Sequence, residues 1–346
     1  MKARARSRRS VPRATAWIAL ACGLAAGEAR GQSKTGTAIG DFLMIEPGAR
    51  MTAMGNAGVA AEPDLEAAYF NPAAAGRIDR VTLQFSHVDW FAGIRYDYIA
   101  AAAPLGHLGT GFATVTALNS GEIDVRTVSE PLGTGERFSV SDVAIGLGWA
   151  MSSSQRFAAG FQARYLQETV FNNSAGAFTF DIGTLYRLNP HGFHLGASIT
   201  NFGTSASFSG RDLRITYDED PTRYGDNGTL PGERFTQDYP VPVTFRVGIG
   251  QPFRPRPDLV LWTALSAAHP SDNTESMNGG VELRYRETVS LRAGYQSLFE
   301  QDSEEGLTAG AGVRWRAPGV DTRIDYAWAD FGRLQGVHRF TVAFGF

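Results

Sequence analysis

Charged residues that could pair with one another or bind a ligand are concentrated in the C-terminal third of this 346-residue sequence. They alternate with apolar residues, which places them on one face of successive predicted strands. Opposite charges on neighbouring strands can pair, hold a plug or bridge a lumen. We favour a structural network inside the barrel in which each charge has a partner, and a permeation or ligand site is the alternative. The set consists of Arg246, Glu282, Arg284, Arg286, Arg292, Arg314, Asp321, Arg323, Asp325 and Arg339.

Enzyme signatures are weak in this sequence. It contains no G-x-S-x-G, H-E-x-x-H or phosphate-loop motif. His87 and Asp89 share one face of a predicted strand, but the pair has no second acidic partner there, and its parity matches that of lipid-facing Leu83 and Phe85. The sequence therefore predicts no enzyme, no catalytic residue and no cofactor.

One acidic loop is a candidate for binding Ca²⁺ through oxygen ligands. It contains Asp218, Glu219 and Asp220, with Asp226 and Asn227 nearby. The acids lack the regular spacing of a calcium loop, so we interpret this segment as a solvated loop and predict no metal site.

The composition favours one large β-barrel over two ordinary domains. The chain has 40 glycines, 11% aromatic residues and a mean hydropathy of −0.17. No run of 18 apolar residues occurs, which excludes membrane spanning by helices. Because a barrel strand exposes only every second side chain to lipid, a mean hydropathy near zero is compatible with membrane-spanning strands.

Residues 1–31 have the pattern of a signal peptide. Basic residues flank a short apolar run from Ala16 to Ala26, and small residues follow it at cleavage points. A twin-arginine signal and a lipoprotein signal ending at Cys22 are weaker matches. Without the seven basic residues and one acidic residue of this segment, 25 basic and 34 acidic side chains remain, a net charge of −9. This balance argues against a nucleic-acid partner, and loss of Cys22 leaves no cysteine.

From residue 81 onward the apolar residues recur with period two. Val143, Ile145 and Leu147, for example, alternate with small residues, and the final segment alternates from Phe340 to Phe346. We count fourteen such segments, an even number that is typical of bacterial single-chain barrels. The sequence therefore predicts an all-β fold, a 14-stranded antiparallel transmembrane barrel closed by an aromatic last strand.

Short and long links alternate between the predicted strands. The short links are residues 104–109, 151–156, 189–192, 251–258, 287–288 and 317–319, and the long links are residues 119–137, 167–177, 203–242, 269–278 and 299–306. Barrels with periplasmic turns and extracellular loops show this sorting, whereas a soluble sandwich does not require it. We therefore expect a bacterial outer-membrane protein with both termini in the periplasm.

Residues 32–80 precede the first strand and do not alternate. A small-residue stretch after Pro47 predicts one short helix, and residues 63–69 predict a second that ends at Asn71-Pro72. Small side chains let a helix pack closely on other backbone, as a plug inside a barrel requires. An ordinary N-terminal subdomain is the alternative. The predicted organisation is a signal peptide at 1–31, a hatch at 32–80 and a barrel at 81–346.

The hatch segment resembles that of the FadL-type superfamily and, within it, that of the PorV/PorQ family. The residues that carry the resemblance are Pro47, Gly48, Arg50, Met54, Gly55, Asp64, Asn71, Pro72 and Ala73, followed at once by the first strand. The resemblance implies a fourteen-stranded outer-membrane barrel with a lumenal hatch. PorV-like members belong to the type IX secretion system and bind C-terminal signal domains of cargo, whereas FadL itself carries hydrophobic compounds.

The short chain and the Arg-rich predicted lumen favour the PorV-like role. We therefore expect a component of a type IX-like protein secretion system whose outer loops, chiefly residues 203–242, bind secreted cargo or sister subunits. The alternative is FadL-like passive transport of hydrophobic small molecules, and a hydrolase dependent on His87 is a third possibility. The expected partners are membrane lipid and secretion proteins, or a hydrophobic small molecule. Nothing in the loops identifies a cargo surface, so the secretion role depends on the resemblance alone.

Overall fold

The computed structural model describes residues 36–346 except 62–63, 189–191, 221, 223–228 and 301–302. Fourteen long strands in this part of the chain form a closed antiparallel barrel, which confirms the predicted fold class. The predicted signal peptide, together with Asp226 and Asn227, lies outside the described residues. The strands are β1 (Thr82–Asp89), β2 (Arg95–Pro104), β3 (Thr110–Asn119), β4 (Val140–Ser152), β5 (Phe157–Val170), β6 (Asn173–Arg187), β7 (His194–Gly203), β8 (Thr244–Arg256), β9 (Leu259–Pro270), β10 (Ser276–Tyr285), β11 (Val289–Leu298), β12 (Leu307–Ala317), β13 (Val320–Asp330) and β14 (Gly336–Gly345).

The barrel closes where β1 pairs with β14. The register of this antiparallel pair runs from Thr82 opposite Gly345 to Asp89 opposite His338. The other strands pair with their neighbours in sequence, and β7 pairs with β8 although the longest loop joins them. The aromatic C-terminal segment is therefore the closing strand, as predicted.

Side chains alternate between the two faces of the wall. On β4, Ile145 and Leu147 point outward and are 56% and 69% exposed, whereas inward-facing Ala144 and Ala150 are buried. The same alternation along the other strands builds an apolar outer belt. A belt of this kind is what a barrel presents to the hydrocarbon layer of a membrane.

Two predicted links differ from the structure. β5 and β6 continue to Val170 and Asn173, so the loop predicted at 167–177 shrinks to two residues, of which Phe171 has a φ of 56°. β8 likewise continues to Arg256 through most of the link predicted at 251–258. These strands extend because cross-strand hydrogen bonding continues where the apolar alternation has ended.

The long loops carry their own small elements. The segment between β3 and β4 contains a hairpin of Ile123–Asp124 and Arg137–Phe138, and the segment between β7 and β8 contains Ser209–Gly210 beside β6 and a hairpin of Arg214–Tyr217 and Leu230–Glu233. Single 3₁₀ turns occur at Phe91–Gly93, Gly106–Leu108, Arg211–Leu213 and Gly332–Leu334.

The described residues of 36–78, namely 36–61 and 64–78, pack inside the barrel, and we call the segment from residue 36 to residue 80 the hatch. It contains helix α1 (Ala49–Thr52) and 3₁₀ helices at Asp41–Met44, Glu66–Tyr69 and Pro72–Arg77. The sequence predicted a helix end at Asn71-Pro72. The 3₁₀ helix at Glu66–Tyr69 does end before these two residues, as predicted, and the side chain of Asn71 accepts a hydrogen bond from the Ala73 N–H at 3.1 Å and so caps the next 3₁₀ helix, which begins with Pro72. None of the described helices is long and apolar enough to cross a membrane.

Inward-facing glycines let the hatch backbone touch the barrel wall. A Cβ atom on Gly196 or Gly248 would collide with Val59, and one on Gly280 would collide with the backbone of Met54. We call this set the glycine belt; it consists of Gly160, Gly183, Gly196, Gly248, Gly280, Gly294 and Gly310. Because these contacts come from β5, β6, β7, β8, β10, β11 and β12, the hatch is fitted against half of the barrel circumference.

We predict that Gly280→Val displaces the hatch, because the added side chain would occupy the space of the Met54 backbone. Overpacking of this kind costs about 1–3 kcal/mol. The variant should unfold at a lower temperature in detergent and be cleaved faster by trypsin after Arg50. The control is Gly279→Val, whose Cβ would meet the side chain of Leu265 on the outward face at 3.0 Å. Equal behaviour of the two variants would contradict the fit.

Candidate functional site

Ion pairs between the hatch and the barrel begin at Arg50. Its Nη2 and Nε donate hydrogen bonds to the two carboxylate oxygens of Glu282 on β10, at 2.8 and 3.1 Å. Its Nη1 donates to Oδ2 of Asp64, also in the hatch, at 2.6 Å. One guanidinium therefore joins a hatch carboxylate to a wall carboxylate, and the bidentate pair with Glu282 fixes its orientation.

The pairing continues around the wall through two further arginines. Arg292 on β11 donates to Glu282 and to Asp325, each at 2.7 Å. Arg323 on β13 donates to Asp64 at 2.6 Å and lies 2.7 Å from Asp325. The result is a closed ring of three guanidiniums and three carboxylates that we call the hatch network: Arg50, Asp64, Glu282, Arg292, Arg323 and Asp325.

Strand register explains how the wall members meet. Glu282 and Arg292 are direct cross-strand partners on β10 and β11. Arg292 and Asp325 belong to strands separated by β12, but Gly312 on β12 has no side chain between them. A Cβ at Gly312 would lie 2.9 Å from the Arg292 guanidinium and would collide with Asp325. The glycine is therefore required for the ion pair to span β12.

The hatch network is buried and charge-balanced. Glu282 and Asp325 are fully buried, and Arg50, Asp64 and Arg292 are nearly so. Burial raises the pKa of Asp64, but the adjacent guanidiniums of Arg323 and Arg50 outweigh this effect and hold its pKa below the usual range. Asp64 is therefore an anion at neutral pH. Buried charges of this kind are tolerated only while each keeps its partners.

Other hatch-motif residues shape the hatch backbone. A Cβ on Gly48 would collide with Glu66, whose carboxylate accepts the Met51 N–H at 2.6 Å. Gly55 has a φ of 62° and donates its N–H to Thr308 on β12 at 3.1 Å. Both glycines are needed because a side chain would clash or strain the backbone.

Asn71 and Met54 connect the hatch backbone to the wall. The Asn71 amide donates to the carbonyl oxygens of Val59 at 2.8 Å and Thr184 on β6 at 2.9 Å, while Met54 lies against Gly280. Pro47 is buried where the chain enters α1, and Pro72 and Ala73 are buried in the 3₁₀ helix that follows Asn71.

The remaining predicted charges do not all face the hatch network. Arg284 lies 3.5 Å from Glu282, and Arg314 pairs with Asp321 at 2.8 Å farther toward the end of β12. The prediction that Arg286 faces the lumen is wrong. β10 ends at Tyr285, so Arg286 lies in an exposed turn with its guanidinium 5.1 Å from the Tyr285 ring centroid.

Arg246 and Arg339 lie in another part of the lumen. Arg246 donates to Thr200 at 2.7 Å and lies 5.9 Å from the Phe70 ring centroid. Arg339 is fully buried, donates from Nε to the Glu46 carbonyl oxygen at 3.3 Å and lies 5.2 Å from the Trp90 ring centroid. The contact of Arg246 with Phe70 and that of Arg339 with Glu46 also join wall to hatch, the first as a cation–π contact and the second as a hydrogen bond.

Two cavities lie at opposite ends of the barrel, with the hatch between them. The inner cavity, about 300 Å³, is lined by the hatch network and by Arg80 and Gly345, close to the end of β14. The outer cavity, about 450 Å³, is lined by Asp41, Glu46 and Asn56 of the hatch and by the loops after β9 and β11. The lumen therefore has a polar chamber on each side of the plug.

His87 has more acidic neighbours than the sequence indicated. Its Nδ1 lies 2.6 Å from Asp97 on β2, and its Nε2 lies 3.4 Å from Asp89. All three side chains are exposed on the outward face, away from both cavities. No three His, Cys, Asp or Glu residues in the described part of the chain are grouped closely enough to hold a metal ion.

We predict that Glu282→Gln destabilises the protein by about 3–5 kcal/mol, because it leaves the buried Arg50 and Arg292 short of one negative charge. Thermal or denaturant unfolding in detergent measures the loss. Glu287→Gln is the control, since this side chain is 39% exposed and its oxygen lies 3.5 Å from Arg284. Combining Glu282→Gln with Arg50→Met should cost less than the two single changes added together, and simple additivity would contradict direct coupling.

No protein-family model and no curated protein matches this sequence. Among solved structures, the chain is similar to the toluene transporter TbuX of Ralstonia pickettii, with 12% identity over 86% of this chain and 97% of that one and a TM-score of 0.51. It is also similar to the toluene transporter TodX of Pseudomonas putida, with 12% identity, 87% and 98% coverage and a TM-score of 0.52. A TodX deletion mutant, titled a monoaromatic hydrocarbon channel, gives 13% identity, 86% and 98% coverage and a TM-score of 0.54. These similarities show the barrel fold alone, and none of them points to PorV/PorQ.

Proposed function

We propose that this protein is a passive conduit for small hydrophobic molecules across the bacterial outer membrane, with the hatch as its gate. The observation that carries the proposal is the placement of the hatch between two cavities inside a closed barrel. A molecule in either cavity is separated from the other only by the plug. The barrel folds of TbuX and TodX, which are named toluene transporters, support the hydrophobic class of cargo.

Apolar surface inside the lumen also supports this class. Ile39, Phe42 and Leu43 of the hatch pack against Leu166 on β5 and Val241 in the loop before β8. Among the described residues no ion pair crosses this cluster, although Gly40 in the same segment donates its N–H to the Glu168 carboxylate on β5 at 2.6 Å. If the hatch shifts there, an apolar molecule meets apolar side chains and no ion pair has to be broken.

The secretion role expected from the PorV/PorQ resemblance has no such support. No family model or curated protein matches the chain, and the solved structures quoted above are named transporters or channels. The charged lumen that favoured secretion has another explanation, because its members hold the hatch.

We also propose that the short-turn end, with the C-terminus, faces the periplasm and that the long loops face outside. The support is the sorting of links: the turn between β10 and β11 spans three residues, whereas the segments between β3 and β4 and between β7 and β8 are long enough to contain hairpins. Outer-membrane barrels place short turns in the periplasm and long loops outside.

The conduit is tested with a cysteine pair that fastens the hatch. Ala49 and Thr341 are suitable sites because the Ala49 N–H donates to the Thr341 hydroxyl at 3.0 Å. In a chain with Cys22→Ser, Ala49→Cys and Thr341→Cys, we expect vesicles with lipopolysaccharide in the outer leaflet to take up labelled toluene faster than empty vesicles when the cysteines are reduced. Oxidation should lower uptake to the level of empty vesicles, and a reductant should restore it.

The matched control is Val313→Cys with Ile324→Cys, which are directly opposite each other on the outward faces of β12 and β13. Its disulfide leaves the hatch free, so oxidation should not change uptake. Equal uptake by protein-containing and empty vesicles would contradict the conduit, and uptake unaffected by the hatch disulfide would contradict the gate.

Orientation is tested by labelling intact cells with a large, membrane-impermeant maleimide. Val128 and Arg286 are both exposed, but Val128 lies in the long segment after β3 and Arg286 in the short turn after β10. We expect Val128→Cys to be labelled in intact cells and Arg286→Cys only after the outer membrane is broken. The reverse order would mean that the barrel has the opposite orientation.

A further inference from the structure

We propose that the outer cavity binds small organic cations that carry N–H donors, such as primary ammonium ions. The inference rests on the proposed function only in treating the cavity as the entry side, and it adds the charge of the ligand. It goes beyond the cargo class suggested by the structural comparisons, since toluene is neutral.

The cavity lining has a strong excess of negative charge. One guanidinium, that of Arg246, and six carboxyl groups line a space of about 450 Å³, and one of the six, Glu304, is ion-paired with Arg333. The carboxyl groups belong to Asp41, Glu46, Asp272, Glu300, Glu304 and Glu305. Without Glu304, five carboxyl groups remain against the single guanidinium of Arg246, whose Nη1 also donates to Thr200 at 2.7 Å.

Burial and neighbouring carboxylates raise the pKa of three of these acids. Burial raises the pKa of Glu46 to about 7, and the neighbouring carboxylate of Glu305 raises it further than Arg339 lowers it. Burial likewise raises the pKa of Asp41, with help from Asp272, and that of Glu305. A bound cation would favour the ionised form of each group.

A second observation points to an N–H donor. Asn56 is only 4% exposed, lines the cavity, and its carboxamide oxygen is buried without a hydrogen-bond partner. A buried acceptor without a donor is destabilising, and a ligand N–H that reaches it would remove this penalty. Asn56 also has a φ of 60°, so the backbone is strained where it presents this oxygen.

The shape of the site favours a molecule over a metal ion. The described residues contain no group of three acidic or histidine side chains close enough for metal binding. The acids are instead spread around a space large enough for a small organic ligand. Hydroxyl groups complete the wall; Thr274 and Ser297 already donate to Glu300 and Glu305, each at 2.7 Å, and so orient those carboxylates.

Binding is tested by calorimetry on the full barrel in detergent, with four probes of similar size. We expect benzylammonium to bind about tenfold more tightly than benzyl alcohol and more tightly than benzyltrimethylammonium, which lacks N–H donors. Benzoate should not bind. Ca²⁺ is the fifth probe, and binding of Ca²⁺ without binding of benzylammonium would overturn the proposal in favour of a metal site.

Variants separate the contribution of the negative charges from that of the Asn56 carboxamide oxygen. Asp41→Asn with Glu300→Gln should weaken benzylammonium binding about tenfold, and both sites are at least partly exposed, so the fold should be retained. Asn56→Gly keeps a residue suited to positive φ and should remove the preference for benzylammonium over benzyltrimethylammonium. Glu130→Gln, an exposed acid outside the cavity, is the control.

Equal binding of benzyl alcohol and benzylammonium, or unchanged binding after both acids are neutralised, would overturn the cation site. These results are independent of toluene uptake. A barrel that conducts toluene but shows no preference for the ammonium probe would support the conduit and contradict the cation site. A barrel that binds the ammonium probe but conducts no toluene would support the cation site and contradict the conduit.

Discussion

The rest of the interior depends on one electrostatic constraint, which is that Glu282 must have cationic partners. It is fully buried in the barrel wall, and two guanidiniums, one from the hatch and one from β11, share its two oxygens. A buried carboxylate without such partners would cost several kcal/mol. Placing α1 where Arg50 reaches Glu282 therefore fixes the position of the hatch in the lumen, and the other contacts follow from that placement.

The glycine belt is the steric counterpart of this constraint. An ion pair at 2.8 Å requires the hatch backbone to lie close to the wall, and side chains at Gly280, Gly294 or Gly310 would prevent this approach. The two features depend on each other, because close contact excludes the water that would otherwise weaken the ion pairs. A rigid displacement of the hatch would break both at once. Local movement at the apolar edge near Phe42 and Leu43 would leave the ion pairs of the hatch network in place, although it would disturb the hydrogen bond from the Gly40 N–H to Glu168.

The sequence predicted the barrel more completely than the hatch. Period-two alternation identified all fourteen barrel strands, since one face of each meets a uniform apolar environment and the other a polar interior. It missed strand extensions such as β5 to Val170, because hydrogen bonding continues beyond the apolar belt. The charges of the hatch network were found by parity, but their partners were not, because pairing depends on register and on Gly312. Arg286 was assigned to the lumen by parity alone, although the strand ends one residue earlier.

The glycines could have been noticed in the sequence, since Gly248, Gly280, Gly294 and Gly310 all share the inward parity of their strands. Their role is visible only in the structure, where the hatch packs directly against them. The sequence also does not show which charges pair with one another. For this reason the predicted lumen looked rich in arginine and suggested a role in secretion. The inner chamber contains many arginines but nearly as many acids, and the hatch network is balanced three to three, whereas the outer chamber is acidic. The two ends of the lumen therefore differ in net charge: the inner chamber is nearly balanced, and the outer chamber has an excess of carboxyl groups. The cation site that we propose lies in the acidic chamber, and the charge-balanced hatch network beyond it has no comparable excess of negative charge.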